Sequence, residues 1–130
     1  MSTSASMSET MGGLEMRSSD IHSRGVFATR AFRAGEVVER CPVLVVPAAE
    51  RGLLDRTHLF NYYFNWAGEA AAIALGWGSL YNHAASPLAR YRKDFDAGVV
   101  EFVAVEDIAA GREITVDYTD GGKNELWFPV

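Results

Sequence analysis

Apolar residues along this chain come in short runs separated by turn residues, a pattern that predicts mostly β structure. Gly25-Val26-Phe27-Ala28-Thr29 and Glu36 to Val46 alternate or run apolar with β-branched side chains, which fit a pleated, half-buried surface. Arg33-Ala34-Gly35 between them offers a turn with a glycine, so the two are expected to be neighbouring strands. After Pro47, whose fixed φ suits a helix start, Ala48 to Leu54 predicts one short helix. The aromatic-dense stretch Leu59 to Trp66 predicts another strand, and Ala70 to Leu75 fits either type. Arg90 to Asp94 and Val99 to Val105 are expected to pair across the Asp96-Ala97-Gly98 turn, and Glu113 to Tyr118 forms a strand after Ala110-Gly111.

One segment breaks this pattern. Gly76 to Pro87, reading Gly-Trp-Gly-Ser-Leu-Tyr-Asn-His-Ala-Ala-Ser-Pro, is rich in glycine, small residues and polar side chains. Such a composition suits a loop with close backbone approaches, the kind of segment from which sites are built.

With 130 residues and 48% hydrophobic content, the chain suffices for one core and falls short of two ordinary domains. Met1 to Gly12 has neither apolar period nor basic start and reads as a disordered leader, which leaves residues 13–130 as the domain. No apolar run approaches the roughly 18 residues of a membrane span. The expectation is a soluble, cytoplasmic protein without a membrane partner. A net charge of -5 and only two lysines, Lys93 and Lys123, argue against a surface that tracks nucleic-acid phosphates. Cys41 is the single cysteine, so neither an internal disulfide nor a thiolate zinc cluster can form within one chain, and no metal is expected.

Three separated segments carry the chemistry: Ser23-Arg24-Gly25-Val26-Phe27-Ala28, then Tyr81-Asn82-His83 followed by Pro87, then Gly111-Arg112-Glu113-Ile114-Thr115-Val116-Asp117-Tyr118. In this order and spacing they resemble the SET-domain protein-lysine methyltransferases, above all the minimal members from bacteria and large DNA viruses, over roughly Leu14 to Phe128. The resemblance implies a β-clip of short twisted sheets in which the Asn-His segment and the C-terminal segment pass through one another as a pseudoknot. It implies S-adenosyl-L-methionine as cofactor, a lysine of a protein or peptide as substrate, and a narrow channel in which the two meet.

By the same resemblance Tyr118 is the catalytic residue, orienting the amine. Arg24, Gly25, Val26, Tyr81, Asn82, His83 and Trp127 would contact the cofactor, while Tyr63, Tyr81, Val116 and Phe128 would line the substrate channel. Read without the family, Tyr118 is an ordinary strand aromatic, Asn82-His83 a loop turn, and the C-terminal aromatic pair plain core packing or a dimer contact. The analogy with minimal viral members also implies a homodimer. Family members often carry Phe or Tyr two residues before the catalytic tyrosine, where a hydroxyl is associated with monomethyl products. Val116 stands there and would permit further methylation, provided the strand alternation turns its side chain towards the channel.

The chain departs from the family pattern in four places. Ala84 follows His83 where serine or cysteine is usual, Leu88 follows Pro87 where asparagine is usual, Ser23 replaces a common glycine, and Arg112 replaces a common acidic residue. Ala84 and Leu88 remove two hydrogen-bonding side chains. They motivate a second reading, a SET-like module that binds cofactor or peptide without turnover; a structural β domain that oligomerises through its Trp and Tyr residues is a third.

Overall fold

A computed structural model of the chain describes residues 12–119. The expected leader, apart from Gly12, and the expected site residues Trp127 and Phe128 lie outside the described residues.

Nine strands are present among the described residues: β1 (Leu14–Ser18), β2 (Arg24–Ala28), β3 (Val37–Val46), β4 (Phe64–Asn65), β5 (Ala71–Ala74), β6 (Asn82–His83), β7 (Ala89–Asp94), β8 (Val99–Ala104) and β9 (Glu113–Val116). They join in the order β1-β2-β9-β7-β8-β3-β5-β4, with β6 beside β9. Among the described residues a single α-helix, α1 (Ala48–Leu54), follows Pro47 and buries none of its residues. The core gathers Leu14, Val26, Phe32, Cys41, Val100, Phe102, Ile108, Ile114 and Val116, all almost without solvent exposure.

Two near-identical turns brace this core. Phe32 and Ile108 exchange backbone hydrogen bonds at 2.9 and 2.8 Å. Each is followed three residues later by a glycine with positive φ, Gly35 at 87° and Gly111 at 91°, a conformation a side chain would strain. The turn at Gly35 was expected to join neighbouring strands, and here the structure differs. β2 pairs with β1 and β9, whereas β3 pairs with β8 and β5. The Phe32–Ile108 bridge holds the intervening chain against the far turn, and it leads β3 away from β2.

The partner of β3 changes at Pro42. Val37 to Pro42 run along β8, and Val43 to Val46 run along β5. Proline has no N–H to extend a ladder, so the sheet divides where the donor is missing.

The strand expected over Leu59 to Trp66 is mostly a turn. His58–Asn61 forms a 3₁₀ turn capped by the Thr57 hydroxyl, which accepts from the Leu59 N–H, and only Phe64–Asn65 pairs with β5. The aromatics here pack around the turn, as His58 does on Tyr62 with ring centres 5.3 Å apart, instead of along a pleat.

β9 positions the site. It pairs antiparallel with β2 at Val26–Ile114 and Phe27–Glu113, and parallel with β6 at Asn82–Thr115 and His83–Val116. It also meets β7 at Ala89–Val116. All three sequence motifs therefore converge on four residues of one strand.

Candidate functional site

Two chemically distinct groups of side chains flank β9. The first is polar and centres on Asn82, whose residue is 9% exposed. Its amide Nδ2 lies 2.7 Å from Glu113 Oε2, 3.0 Å from the Arg24 carbonyl, 3.1 Å from Ser19 Oγ and 3.3 Å from the His22 carbonyl. Two hydrogens face four oxygens, so the corner holds more acceptors than the amide can satisfy. Ser19 Oγ donates to Glu113 Oε1 at 2.7 Å and accepts from the Ile21 N–H at 2.9 Å, which folds residues 19–23 over the corner.

Gly25 sits in the same corner. A Cβ there would lie 2.1 Å from Glu113 Oε2 and 2.8 Å from Asn82 Nδ2, so only glycine admits this approach. Ser23, the departure from a common glycine, has φ of 43°, a left-handed conformation that explains why glycine is favoured at this point.

The second group is aromatic and centres on Tyr118. Its hydroxyl donates to the Tyr81 carbonyl at 2.6 Å. Phe64 and Tyr91 surround the ring with centres 5.9 and 6.2 Å away. The ring is half-buried, but the hydroxyl is enclosed, and that burial raises its pKa far above the ordinary value of 10, with Tyr91 and Cys41 adding in the same direction. A phenol in this setting stays protonated; it acts as a hydrogen-bonding group and not as a base.

His83 links the two groups. Its Nδ1 accepts from the Tyr118 backbone N–H at 3.1 Å, and the two rings stack at 24°. A nitrogen that accepts carries no proton, so the 3.8 Å approach of Asp117 Oδ1 to the same atom is not a charged pair.

The structure thus brings together Arg24, Gly25, Tyr81, Asn82, His83 and Tyr118 as expected from the motifs. Arg24 contributes its carbonyl, with its side chain exposed. Val26 is fully buried in the core opposite Ile114, so its side chain serves packing. Val116 is likewise fully buried, in register with His83 and Ala89. Tyr63 sits elsewhere: its hydroxyl donates to Asp55 Oδ1 at 2.5 Å and accepts from Arg51 Nε at 3.1 Å. Its neighbour Phe64, the first residue of β4, is the ring beside Tyr118. Ser19, Glu113 as the partner of Asn82, and Phe64 join the site through contacts that the motifs do not specify. Only the Ser/Thr/Asn-type turn chemistry of residues 18–23 gave any signal for Ser19.

Comparison with known proteins agrees with this geometry. The family model of the SET domain matches residues 23–119, most of the chain and all three motifs. The chain belongs to the SET-domain family. Within it, this SET domain is 29% identical over 116 residues to a Schizosaccharomyces pombe histone-lysine N-methyltransferase named for lysine 37 of histone H3, covering 88% of this chain and 76% of the relative. It is 28% identical over 102 residues to the histone-lysine N-methyltransferase SET9 of Gibberella zeae, of which it spans only 15%. Among solved structures, a candidate histone methyltransferase of Plasmodium falciparum superposes on the SET domain with a TM-score of 0.66 at 25% identity, covering 81% of this chain and 96% of that one.

Proposed function

We propose that this SET-domain protein-lysine methyltransferase takes its methyl group from S-adenosyl-L-methionine and places it on a lysine of a basic protein such as a histone. The observation that carries the reading is the pairing of the acceptor-rich Asn82 corner with the enclosed Tyr118 hydroxyl across four residues of β9. The corner fits a cationic amine: the Glu113 carboxylate and the Arg24 and His22 carbonyls already crowd one amide, and Gly25 leaves no Cβ in the way. Bound there, the cofactor supplies a methyl group activated by a positively charged sulfur.

The chain's own residues do the remaining work. Asn82, Glu113 and the residue 22–25 backbone hold and orient the amino-acid end of the cofactor. Tyr118, kept neutral by burial, accepts an N–H from the incoming amine and so turns the lone pair towards the methyl group, a gain of orientation and not of proton transfer. Phe64 and Tyr91 strip water from the amine, which favours its neutral, nucleophilic form.

The test is titration calorimetry with S-adenosylmethionine, followed by incubation with labelled cofactor and a histone panel. Saturable binding and label on lysine are expected, and mass spectrometry of the product reads the number of methyl groups. Binding without transfer to any protein would favour the non-catalytic module that Ala84 and Leu88 motivate; no binding at millimolar ligand would sink the reading.

A further inference from the structure

Behind the aromatic group lies a carboxylate that neither the motifs nor the reaction outlined above uses. Glu39, on β3, accepts the Tyr81 hydroxyl at Oε1 at 2.6 Å and the Trp77 backbone N–H at Oε2 at 2.9 Å. A Cβ on Gly76, whose φ is 69°, would fall 2.4 Å from the same Oε2, so the loop has closed tightly onto this side chain. Glu39 thus pins both ends of the 77–81 segment to a core strand. Tyr81 is fixed at two points, through its hydroxyl by Glu39 and through its ring against Phe102, with centres 4.4 Å apart. What remains of Tyr81 is its carbonyl, and that is the atom that receives the Tyr118 hydroxyl.

We infer that Glu39 is a positioning residue for methyl transfer: through the Tyr81 hydroxyl it sets the Tyr81 carbonyl, and through that carbonyl the direction of the Tyr118 hydroxyl. The inference rests on the role proposed for Tyr118. A carboxylate is suited to the task because each oxygen accepts one bond, whereas an amide could accept only one of the two and would present N–H to the other donor. Released from this anchor, the Tyr81 carbonyl is free to shift, and a displacement of about 1 Å in a positioning group can cost on the order of a hundredfold in rate.

A double-mutant cycle on turnover, with cofactor and substrate both saturating, tests it. Glu39→Ala should lower kcat by roughly tenfold or more, with cofactor Kd and substrate KM nearly unchanged, and Glu39→Gln should fall between it and the parent. In a Tyr118→Phe background, where no hydroxyl is left to direct, Glu39→Ala should cause no further loss. Tyr81→Phe keeps the carbonyl and removes only the anchored hydroxyl; it should reproduce the Glu39→Ala loss, and it serves if Glu39→Ala does not fold. Full turnover in Tyr81→Phe, or an equal loss from Glu39→Ala with and without the Tyr118 hydroxyl, would overturn the inference. Parental turnover in Tyr118→Phe alone would instead refute the role of Tyr118, a separate outcome.

Discussion

The two groups that flank β9 are built on opposite principles. Around Asn82 a single amide is held by four oxygens from two stretches of the chain, residues 19–24 and Glu113, while around Tyr118 one enclosed hydroxyl bond is set among packed rings, of which Tyr91 also donates its hydroxyl to the Tyr118 carbonyl at 3.5 Å. On the function proposed above, the polar corner supplies affinity, and its surplus of acceptors is what a ligand can share. On the same proposal the aromatic side gives direction, through the Tyr118 hydroxyl, which is enclosed and unable to ionise near neutral pH. Binding and turnover should therefore fail separately when the two are disturbed.

The sharpest break is Tyr118→Phe. The ring remains and the Tyr81 carbonyl loses its donor, so kcat is expected to drop about a hundredfold while thermal stability and cofactor Kd stay close to the parent. Steady-state kinetics beside calorimetry would show whether the loss is confined to turnover. Asn82→Ala attacks the other side. It takes the Asn82 amide away from Glu113 Oε2 and the Arg24 carbonyl, and cofactor binding should weaken by about 1–3 kcal/mol. The residual turnover at saturation should fall less than in Tyr118→Phe, and equal defects in both variants would erase the distinction between the groups.

Alkaline unfolding reads the aromatic side together with the Cys41 thiol and the Tyr63 phenol, whose pKa values burial also raises. Burial raises the pKa of both Tyr81 and Tyr118, for Tyr81 with Glu39 adding to the effect. Above a pH of about 10 the unfolded chain loses these protons and the folded chain keeps them, so stability falls as pH rises. Chemical denaturation between pH 8 and 11.5 should show that decline, and Tyr118→Phe should flatten it. The smallest effect belongs to the polar corner: Ser23→Gly removes a side chain from a backbone with φ of 43° and should raise stability by up to about 1 kcal/mol, measured as a shift in the denaturant midpoint.

The sequence made some of this visible and concealed the rest for physical reasons. The β7–β8 hairpin, α1 and β9 were legible because short-range pattern and a nearby turn specify each of them. β1 was not read, since Leu14–Ser18 buries one residue fully and exposes two, a weak alternation. The pairing of β2 with β9 rather than β3 depends on the bridge from Phe32 to Ile108, which no local pattern encodes. The Asn-His segment and Tyr118 were legible through their motif. Glu39 and Ser19 were not, because each meets its partner across a long loop, 42 residues from Tyr81 in one case and 63 from Asn82 in the other. Tyr63 shows a different limit: one step along the chain separates a buried tyrosine tied to Asp55 and Arg51 from Phe64, the ring beside Tyr118.

The lateness of β9 in the chain has a consequence during synthesis. Its four residues join β2, β6 and β7, which are separated from it by long stretches of sequence, so most of its pairing carries a large loop-closure cost. A ribosome-bound chain that has not yet emitted Glu113 to Val116 lacks both the partner of Asn82 and the approach to Tyr118. Neither half of the site can mature ahead of the other. A nascent chain arrested before Glu113 should be held without ligand affinity, and chaperones that shield the waiting edges of β2 and β7 would act in that interval.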